Sequence, residues 1–225
     1  MLRKGSTFST TQIDDKTILR DDLLPGGTKR RALQRWLPSL NQSHFIYAGS
    51  VFGSGGWALA EACRDLGFTC TLALSRSDYS PQWLEQIDCQ IEWFAPQPVE
   101  HIYKSYGHDK KLLPLGYDDL GFKSCLAEVF GSLDRNHSEI WLPCVSGVLV
   151  QAAQIAWPEA RINAVCVAKN HGNIGNAIQY QAAEKYHQPA HELPPYPANL
   201  FSDAKLWQFV RQFALKDALI WNTSI

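Results

Sequence analysis

Residues 44–74 read HFIYAGSVFGSGGWALAEACRDLGFTCTLAL, and this stretch decides the fold. It opens with a short apolar run, His44–Ala48, which leads into a turn rich in glycine and serine at residues 49–56. The apolar stretch Trp57–Leu66 has the length of a helix and ends at a glycine, and Thr69–Leu74 is again strand-like. Strand, turn, helix and strand in this order predict a parallel sheet with right-handed crossovers, the α/β class.

The same alternation continues along the chain. Further apolar runs are predicted to be strands at Gln90–Phe94, Glu139–Pro143, Arg161–Ala168 and Ala218–Trp221. Helices are predicted at Pro81–Ile87, Val99–Tyr106, Asp118–Phe130, Val148–Ala156 and Ser202–Ala214, the last capped by Ser202. Four prolines within residues 187–199 predict an extended loop there.

Composition and charge exclude several classes of protein. With 45% hydrophobic residues among 225, the chain is not predominantly disordered. A net charge of -1 gives no overall positive field that would attract nucleic acid. The six cysteines form no CxxC pair and no zinc-ligand spacing, so we expect reduced thiols, no metal site and a cytoplasmic protein. No apolar run is long enough to span a bilayer, and we expect no membrane partner.

A lysine follows a glycine pair near the N-terminus. Gly26–Gly27 forms a predicted turn before a helix, and Lys29 lies in the first turn of that helix. Partial positive charge at a helix N-terminus lowers the pKa of a lysine and favours its nucleophilic, neutral form. The alternative interpretation is a surface lysine in a basic helix with Arg30, Arg31 and Arg35.

Three more segments follow predicted strands and contain serine or threonine hydroxyls. Two of them also contain glycine. The turn 49–56 offers backbone N–H groups to an anion, and Ser146–Gly147 offers a hydroxyl and amides to a phosphate. Asn222, Thr223 and Ser224 follow the last predicted strand. The alternative interpretations are tight packing turns for the first two and a frayed tail for the third.

Taken in order, these segments resemble the fold-type-II pyridoxal-phosphate enzymes. Arg20–Leu24 followed by Gly26–Lys29 resembles the lysine motif of the branch that contains aminocyclopropane-carboxylate deaminase and D-cysteine desulfhydrase. Leu113–Asp118 is similar to the stretch before that family's mid-chain helix. The resemblance extends from about Lys16 to Ile225, and it implies a tryptophan synthase β-like fold that uses pyridoxal 5'-phosphate.

The resemblance also implies a division into two parallel-sheet α/β lobes with the cofactor between them. Residues 1–44 and 113–225 would form the larger cofactor-binding lobe, and residues 45–112 the smaller inserted lobe. Lys29 would bind the cofactor covalently and act as the catalytic residue. The implied cofactor contacts are Lys29, Ser54, Ser146, Gly147, Val148, Thr223 and Ser224. The implied substrate contacts are Ser50, Gly53, Ser54, Gly55 and Tyr117.

Two positions depart from the family pattern. Gly53-Ser54 stands where the family usually has a Ser-Asn pair, whose asparagine touches the cofactor. The phosphate loop, residues 145–148, is poorer in glycine than in the family. These departures leave open a catalytically silent pyridoxal-phosphate-binding protein as an alternative.

The C-terminal segment resembles a smaller group, the short pyridoxal-phosphate proteins of tailed phages linked to thymine hypermodification in DNA. The similarity lies in Pro194–Pro197, Ser202–Trp207 and Ala218–Asn222. It implies α-decarboxylation of an aminoacyl-modified thymine, with that DNA as the amino-acid-bearing partner, a homodimer, and the host cytoplasm as location.

Two enzyme classes remain as alternatives. One is a pyridoxal-phosphate deaminase or desulfhydrase that acts on a small free amino acid. The other is a dinucleotide-binding enzyme, but the turn after His44–Ala48 does not have the G-x-G-x-x-G spacing. That alternative also leaves the lysine segment unexplained.

Overall fold

The computed structural model describes residues 8–133, 137–169 and 171–225. The strands in these ranges are β1 (Thr10–Ile13), β2 (Lys16–Arg20), β3 (His44–Gly49), β4 (Thr69–Ser75), β5 (Gln90–Phe94), β6 (Glu139–Cys144), β7 (Arg161–Cys166), β8 (Ile178–Gln181) and β9 (Leu219–Asn222). The helices are α1 (Gly27–Trp36), α2 (Gly55–Leu66), α3 (Val99–Ser105), α4 (Leu120–Gly131), α5 (Val148–Ala156) and α6 (Trp207–Phe213).

The strands form two sheets. The larger sheet has six strands in the order β1-β2-β9-β6-β7-β8, and the smaller has three in the order β3-β4-β5. All neighbours pair in parallel except β1 and β2, which are antiparallel. The predicted α/β class with two parallel sheets is confirmed. The lobe boundaries at residues 45 and 113 stay a prediction, although the small sheet is built from the segment between β2 and β6.

The central strands of the larger sheet are buried on both faces, as is usual for parallel strands. Ile140 and Leu142 belong to the main core with side chains of α1, α2, α4 and α5. The intervening Trp141 belongs to a second core, which includes Trp207 and Val210 of α6. Alternate residues of one strand therefore serve opposite layers, because successive side chains of a strand point to opposite faces.

Some local predictions are wrong. The predicted helix Pro81–Ile87 is one 3₁₀ turn, Gln82–Glu85, and the strand from Arg161 ends at Cys166 rather than Ala168. Ser202 is not a helix cap. Its hydroxyl donates to side chains of Asn199 and Asp203 instead, and a 3₁₀ turn precedes α6. A serine beside acidic and amide side chains readily makes such local bonds in preference to a cap.

The helices of residues 8–133, 137–169 and 171–225 are short, with 12 residues at most. None of those described has both the length and the apolarity that crossing a membrane requires.

Candidate active site

A cavity lies where the segments after β3, β6 and β9 meet the N-terminus of α1. Eight of the predicted site residues line this cavity: Lys29, Ser50, Gly53, Ser54, Gly55, Ser146, Gly147 and Thr223. Three predicted residues, Tyr117, Val148 and Ser224, are buried beside it and do not line it. The carboxyl ends of parallel strands from both sheets thus supply most of the wall, as is usual for ligand sites in α/β folds.

The glycine pair brings the lysine helix against the end of β9. Gly26 and Gly27 have φ of +81° and +65°, a region that favours glycine. A Cβ atom on Gly27 would lie 2.0 Å from the carbonyl oxygen of Thr223. The Thr28 N–H donates to that same oxygen at 3.0 Å. The first turn of α1, with Lys29, is therefore fixed at the cavity by a contact that only glycine permits.

A buried polar network holds this helix end in place. The carboxylate of Asp21 forms an ion pair with Arg31 at 2.8 Å and accepts from the Thr28 hydroxyl at 2.8 Å. The indole N–H of Trp221 on β9 donates to the same hydroxyl at 2.8 Å. Burial raises the pKa of Asp21, and the Arg31 guanidinium opposes that rise. The Arg-Asp-Asp segment of the sequence motif is thus an anchor for the lysine helix.

The Lys29 side chain has the properties of a nucleophilic amine. It is half-buried at the cavity wall and makes no hydrogen bond with any described residue. Its Nζ lies 5.9 Å from the centre of the Tyr117 ring. Burial lowers the pKa of Lys29, while the Asp203 carboxylate partly opposes this change. A lowered pKa increases the fraction of neutral amine that can attack a carbonyl group.

The glycine-rich turn is shaped by two stacked tyrosines. Tyr47 and Tyr117 have ring centroids 4.7 Å apart, and the Tyr117 hydroxyl donates to the Gly55 carbonyl at 2.7 Å. A Cβ on Gly55 would lie 2.2 Å from the Tyr47 hydroxyl oxygen. Ser54 precedes α2, but its hydroxyl does not accept a hydrogen bond from the backbone N–H groups of the helix. Ser54 lines the cavity.

Tyr117 has an uncommon backbone conformation. Both Gly116 and Tyr117 have φ of +64°, a region rarely adopted by a bulky residue. The Ser146 hydroxyl donates to the Gly116 carbonyl at 3.3 Å. A strained backbone conformation persists only where surrounding contacts hold it in place. Here Tyr117 is held by stacking on the Tyr47 ring and by its hydrogen bond to the Gly55 carbonyl. Tyr117 therefore shapes the turn from behind without touching the cavity.

The opposite wall is the N-terminus of α5. Gly147 precedes this helix with φ of +80°, and a Cβ there would lie 2.1 Å from the Asn173 carbonyl oxygen. The Gly172 N–H donates to the Val145 carbonyl at 3.0 Å, which holds the neighbouring loop close. First-turn N–H groups have no acceptor within a helix, and this end carries partial positive charge. The wall is suited to an anion such as a phosphate.

Two residues of the cavity wall are not among the predicted site residues: Tyr186, and Ser202, which was predicted only as a helix cap. Tyr186 comes from the irregular segment after β8, and its hydroxyl lies 2.8 Å from where a Cβ of Gly53 would be. Burial raises the pKa of Tyr186 to about 12, and a hydrogen bond with Ser50 opposes the rise. No periodic pattern marks such loop residues, so only the three-dimensional fold brings them to the site. Tyr47 also lines the cavity, although its strand was predicted only as core.

Asp203 is the most unusual charged group near the cavity. It is 2% exposed, and its carboxylate accepts from the Thr223 N–H at 2.5 Å and from the Ser202 hydroxyl at 2.7 Å. Burial raises the pKa of Asp203 to about 6, although these two hydrogen bonds oppose the rise. In the sequence this residue reads as an ordinary acidic residue at a helix start.

A second cluster lies behind the α5 loop. Strand register pairs Cys144 with Cys166, and together with His171 they bring ligand atoms within 4.8 Å of one another. No spacing in the sequence indicates this grouping, because Cys144, Cys166 and His171 come from different segments of the chain. Both ring nitrogens of His171 are engaged, one with the Gly172 carbonyl and one with Gln179. Burial raises the pKa of both thiols.

Comparison with known proteins shows what the chain resembles. No protein-family model and no curated protein matches it. Among solved structures, an ACC deaminase homologue is 14% identical, with a TM-score of 0.76, over 93% of this chain and 84% of that one. A threonine deaminase from T.th. is 12% identical, with a TM-score of 0.67, over 96% and 91%. A pyridoxal 5'-phosphate-dependent aspartate racemase is 14% identical, with a TM-score of 0.54, over 92% and 69%.

At these identities the similarity concerns the fold. The chain has the two-sheet α/β architecture of the ACC deaminase homologue and of threonine deaminase over nearly its whole length. The fold that the sequence motifs implied, fold type II of the pyridoxal-phosphate enzymes, is thereby confirmed.

Proposed function

We propose that the protein is a pyridoxal 5'-phosphate-dependent lyase that acts on an amino-acid group. The observation that carries the proposal is the Lys29 amine, which is half-buried and without a hydrogen bond to a described residue at the wall of a cavity. The N-terminus of α5 forms another wall of the same cavity. An amine poised to react with an aldehyde and an anion-binding helix end are the two features that this cofactor requires. Structural neighbours with deaminase and racemase activities support the proposal.

The residues present fit this cofactor. Lys29 would hold its aldehyde carbon, and Ser146 with the amides of Gly147 and Val148 would hold its phosphate. Thr223, which lines the cavity, is the better candidate for the ring nitrogen, because Ser224 is 1% exposed and does not line it. When bound, the cofactor supplies an electron sink that stabilises negative charge on the substrate's α-carbon.

The chain's own residues then bind and orient the substrate. Backbone groups of Gly53 and Gly55, with the hydroxyls of Ser50 and Ser54, surround the space beside Lys29 and would hold a carboxylate. The Lys29 amine, with its pKa lowered by burial, would take up or deliver a proton at the reacting carbon. Which bond breaks depends on how the turn holds that carboxylate relative to the lysine.

For the reaction itself we propose α-decarboxylation of an aminoacyl-modified thymine in DNA of the phage type. Its support is the resemblance of Pro194–Pro197, Ser202–Trp207 and Ala218–Asn222 to the phage-type proteins, and Ser202 of these segments lines the cavity. A DNA substrate would need basic residues near Lys29 for its phosphates, and the three arginines of α1 each form an ion pair here. Arg30 pairs with Asp65 and Glu61, Arg31 with Asp21, and Arg35 with Glu128. Only the exposed Arg35 pair is readily exchanged for a phosphate.

The second candidate is deamination or elimination on a small free amino acid. The structural neighbours favour it, since two of them are named deaminase or deaminase homologue. A homodimer and a cytoplasmic location accompany both candidates as predictions.

Product analysis separates the candidates. Protein reconstituted with pyridoxal 5'-phosphate would be given an oligonucleotide carrying aminoacyl-thymidine, and in parallel D-cysteine or aminocyclopropane carboxylate. Carbon dioxide from the oligonucleotide supports decarboxylation, whereas ammonia and a keto acid from the free amino acids support the second candidate. Bound cofactor without any turnover would overturn both in favour of a silent binding protein. Lys29→Ala is the inactive control, and Lys104→Ala on α3 is the matched lysine outside the site.

A further inference from the structure

Behind the α5 end of the cavity, two strands and a loop bring two thiols and an imidazole together. Cys144 and Cys166 end β6 and β7, and the parallel register places them directly opposite each other. Both side chains belong to the main core, so they lie on the same face of the sheet. His171 comes from the loop after β7, and one of its ring nitrogens and the two sulfur atoms lie within 4.8 Å of one another.

The hydrogen bonds of His171 define which of its ring nitrogens can bind a cation. A carbonyl oxygen only accepts, so the 2.8 Å bond between Nδ1 and the Gly172 carbonyl places the proton on Nδ1. Nε2 of the neutral ring therefore carries the lone pair, and the Gln179 amide donates to it at 3.1 Å. A backbone carbonyl that fixes the imidazole tautomer in this way is a usual outer partner of a metal-bound histidine.

The ligand set matches a thiophilic divalent cation. Two thiolates carry two negative charges and the neutral imidazole carries none, so a divalent cation leaves this buried site without net charge. Sulfur and imidazole nitrogen are ligands of Zn²⁺, whereas Mg²⁺ and Ca²⁺ require oxygen. In a tetrahedral zinc site, bonds of about 2.3 Å to sulfur and about 2.0 Å to nitrogen hold the ligand atoms roughly 3.6–3.8 Å apart. The cluster reaches these separations when its ligand atoms approach one another by roughly 1 Å.

We propose that Cys144, Cys166 and His171 form a binding site for Zn²⁺ that is separate from the cofactor cavity. Binding breaks the two S–H bonds, forms two bonds from sulfur and one from nitrogen to the metal, and releases both protons to solvent. Water would take the fourth position, as in zinc sites with three protein ligands. No electron is transferred, so no oxidant or reductant is needed. This inference goes beyond the proposed function and does not rest on it.

The site has a route for the cation and a structural consequence. His171 is half-buried and Gln179 is exposed, so the cation approaches from that side and displaces the Gln179 amide. The Gly172 N–H donates to the Val145 carbonyl at 3.0 Å, and Val145 lines the cavity. A cation held by Cys144 and His171 would therefore tie this loop to the strand end beside the cavity wall that α5 forms.

The test is isothermal titration of the untagged, cofactor-free chain with Zn²⁺ in the presence of a phosphine reductant. We expect one Zn²⁺ per chain, and a Tm higher by about 5–10 °C when Zn²⁺ exceeds Kd about 100-fold. Cys144→Ser, Cys166→Ser and His171→Ala should each lose more than about 100-fold in affinity, since even the loss of an outer partner costs about 10- to 100-fold. Gln179→Ala should bind at least as tightly as the wild type, because its amide competes for the imidazole lone pair.

A second measurement identifies the ligands. The ¹¹³Cd NMR resonance of bound Cd²⁺ moves downfield with each thiolate that binds the metal. The wild type should show the resonance of a site with two thiolates, and neither Cys144→Ser nor Cys166→Ser should show it. Matched controls are Cys125→Ser, a half-buried thiol on α4, and His137→Ala, whose ring contacts the Asp217 carbonyl at 2.9 Å. Both should keep the wild-type affinity and resonance.

The outcomes separate this inference from folding and from the proposed function. His171→Ala changes a half-buried loop residue, so it keeps the test decisive if a cysteine variant fails to fold. A wild type without a stoichiometric Zn²⁺ site, or wild-type affinity in a folded His171→Ala or Cys166→Ser variant, would overturn the inference. The titration contains no pyridoxal 5'-phosphate. Failure of that cofactor to bind would therefore overturn the proposed function alone.

Discussion

Two of the walls of the cavity are built in different ways. The lysine wall consists of Asp21, the first turn of α1, Thr223 and Asp203, and a network of buried hydrogen bonds and an ion pair holds it together. The turn wall consists of residues 49–56 with the tyrosine pair Tyr47 and Tyr117 behind them, and it relies on ring stacking and backbone.

This difference separates two tasks. Buried polar networks fix atoms in one arrangement, since leaving any member unpaired costs much of its desolvation energy. A wall of glycine backbone and small hydroxyls constrains the positions of its atoms less. A single side-chain substitution can therefore change its shape. We infer that the lysine wall sets the cofactor chemistry and the turn wall sets the substrate, so variants on the two walls should have distinct effects.

The largest effect on stability is expected at the contact between α1 and β9. Gly27→Ala would place a Cβ 2.0 Å from the Thr223 carbonyl oxygen at a positive φ. We expect a loss of more than about 4 kcal/mol in the free energy of unfolding, measured by urea denaturation. Gly67→Ala is the matched control, because Gly67 also has positive φ but has open space around it. It should cost only about 1–2 kcal/mol for the left-handed backbone. Equal losses would contradict a close contact at Gly27.

The second effect is on the pH dependence of stability. The folded-state pKa of Asp203 is raised to about 6 from 3.8. The folded state therefore holds this proton more tightly, and the resulting stabilisation is present below pH 4 and lost as the pH rises through 6. Relative to Asp203→Asn, the wild type without cofactor should lose about 3 kcal/mol between pH 4 and pH 7. The free energy of unfolding of both proteins is measured by urea denaturation at each pH. If the difference between the two free energies does not change with pH, the burial of this charge is contradicted.

A smaller effect is expected behind the turn wall. Tyr117→Phe removes the bond from its hydroxyl to the Gly55 carbonyl, and we expect a loss of about 1–2 kcal/mol with weaker substrate binding. Tyr47→Phe is the control on the partner ring, since its hydroxyl makes no hydrogen bond with a described residue. Thermal unfolding of both variants and KM of Tyr117→Phe check this prediction, and an equal loss of stability in both would contradict a special role for the bond to the Gly55 carbonyl.

The smallest effect on stability is expected at Ser54. This residue precedes α2 without a side-chain cap, so Ser54→Ala should change stability by less than about 0.5 kcal/mol. Its hydroxyl lines the cavity, and we expect KM to rise several-fold with cofactor affinity unchanged. Ser50→Ala, at the other serine of this wall, should raise KM as well but should also lower stability, because the Ser50 hydroxyl accepts from the Phe52 N–H and supports the loop. Loss of cofactor from Ser54→Ala would show that the two walls do not divide their tasks as inferred.

The sequence predicts the parts of the fold that have strong local patterns. The strand-turn-helix segment at residues 44–66 and the buried strands after it are predicted because apolar length and glycine position specify them. The strands β1, β2 and β8 are not predicted. Thr10–Ile13 and Ile178–Gln181 are short, largely exposed edges with little apolar periodicity, and Lys16–Arg20 has only two consecutive apolar residues between polar ones. Edge strands are stabilised by pairing with a neighbouring strand. The local sequence pattern does not indicate this pairing.

The candidate site divides in the same way. Lys29 and the glycine turns are predicted, because their conformations require particular residue types at fixed spacing. Tyr186, Ser202 and Asp203 are missed, because they reach the cavity from irregular backbone whose course depends on tertiary packing. Asp203 in particular is informative only once its burial and its bonds to Thr223 are known.

The central claim is that the Lys29 amine forms a covalent bond with pyridoxal 5'-phosphate. The direct measurement is borohydride reduction of the reconstituted protein, followed by proteolysis and mass spectrometry of the labelled peptide. We predict a single phosphopyridoxyl group on Lys29 and none in Lys29→Arg, which keeps the charge but cannot form the bond. A label on another lysine, or a wild-type protein that stays unlabelled at saturating cofactor, would contradict the account.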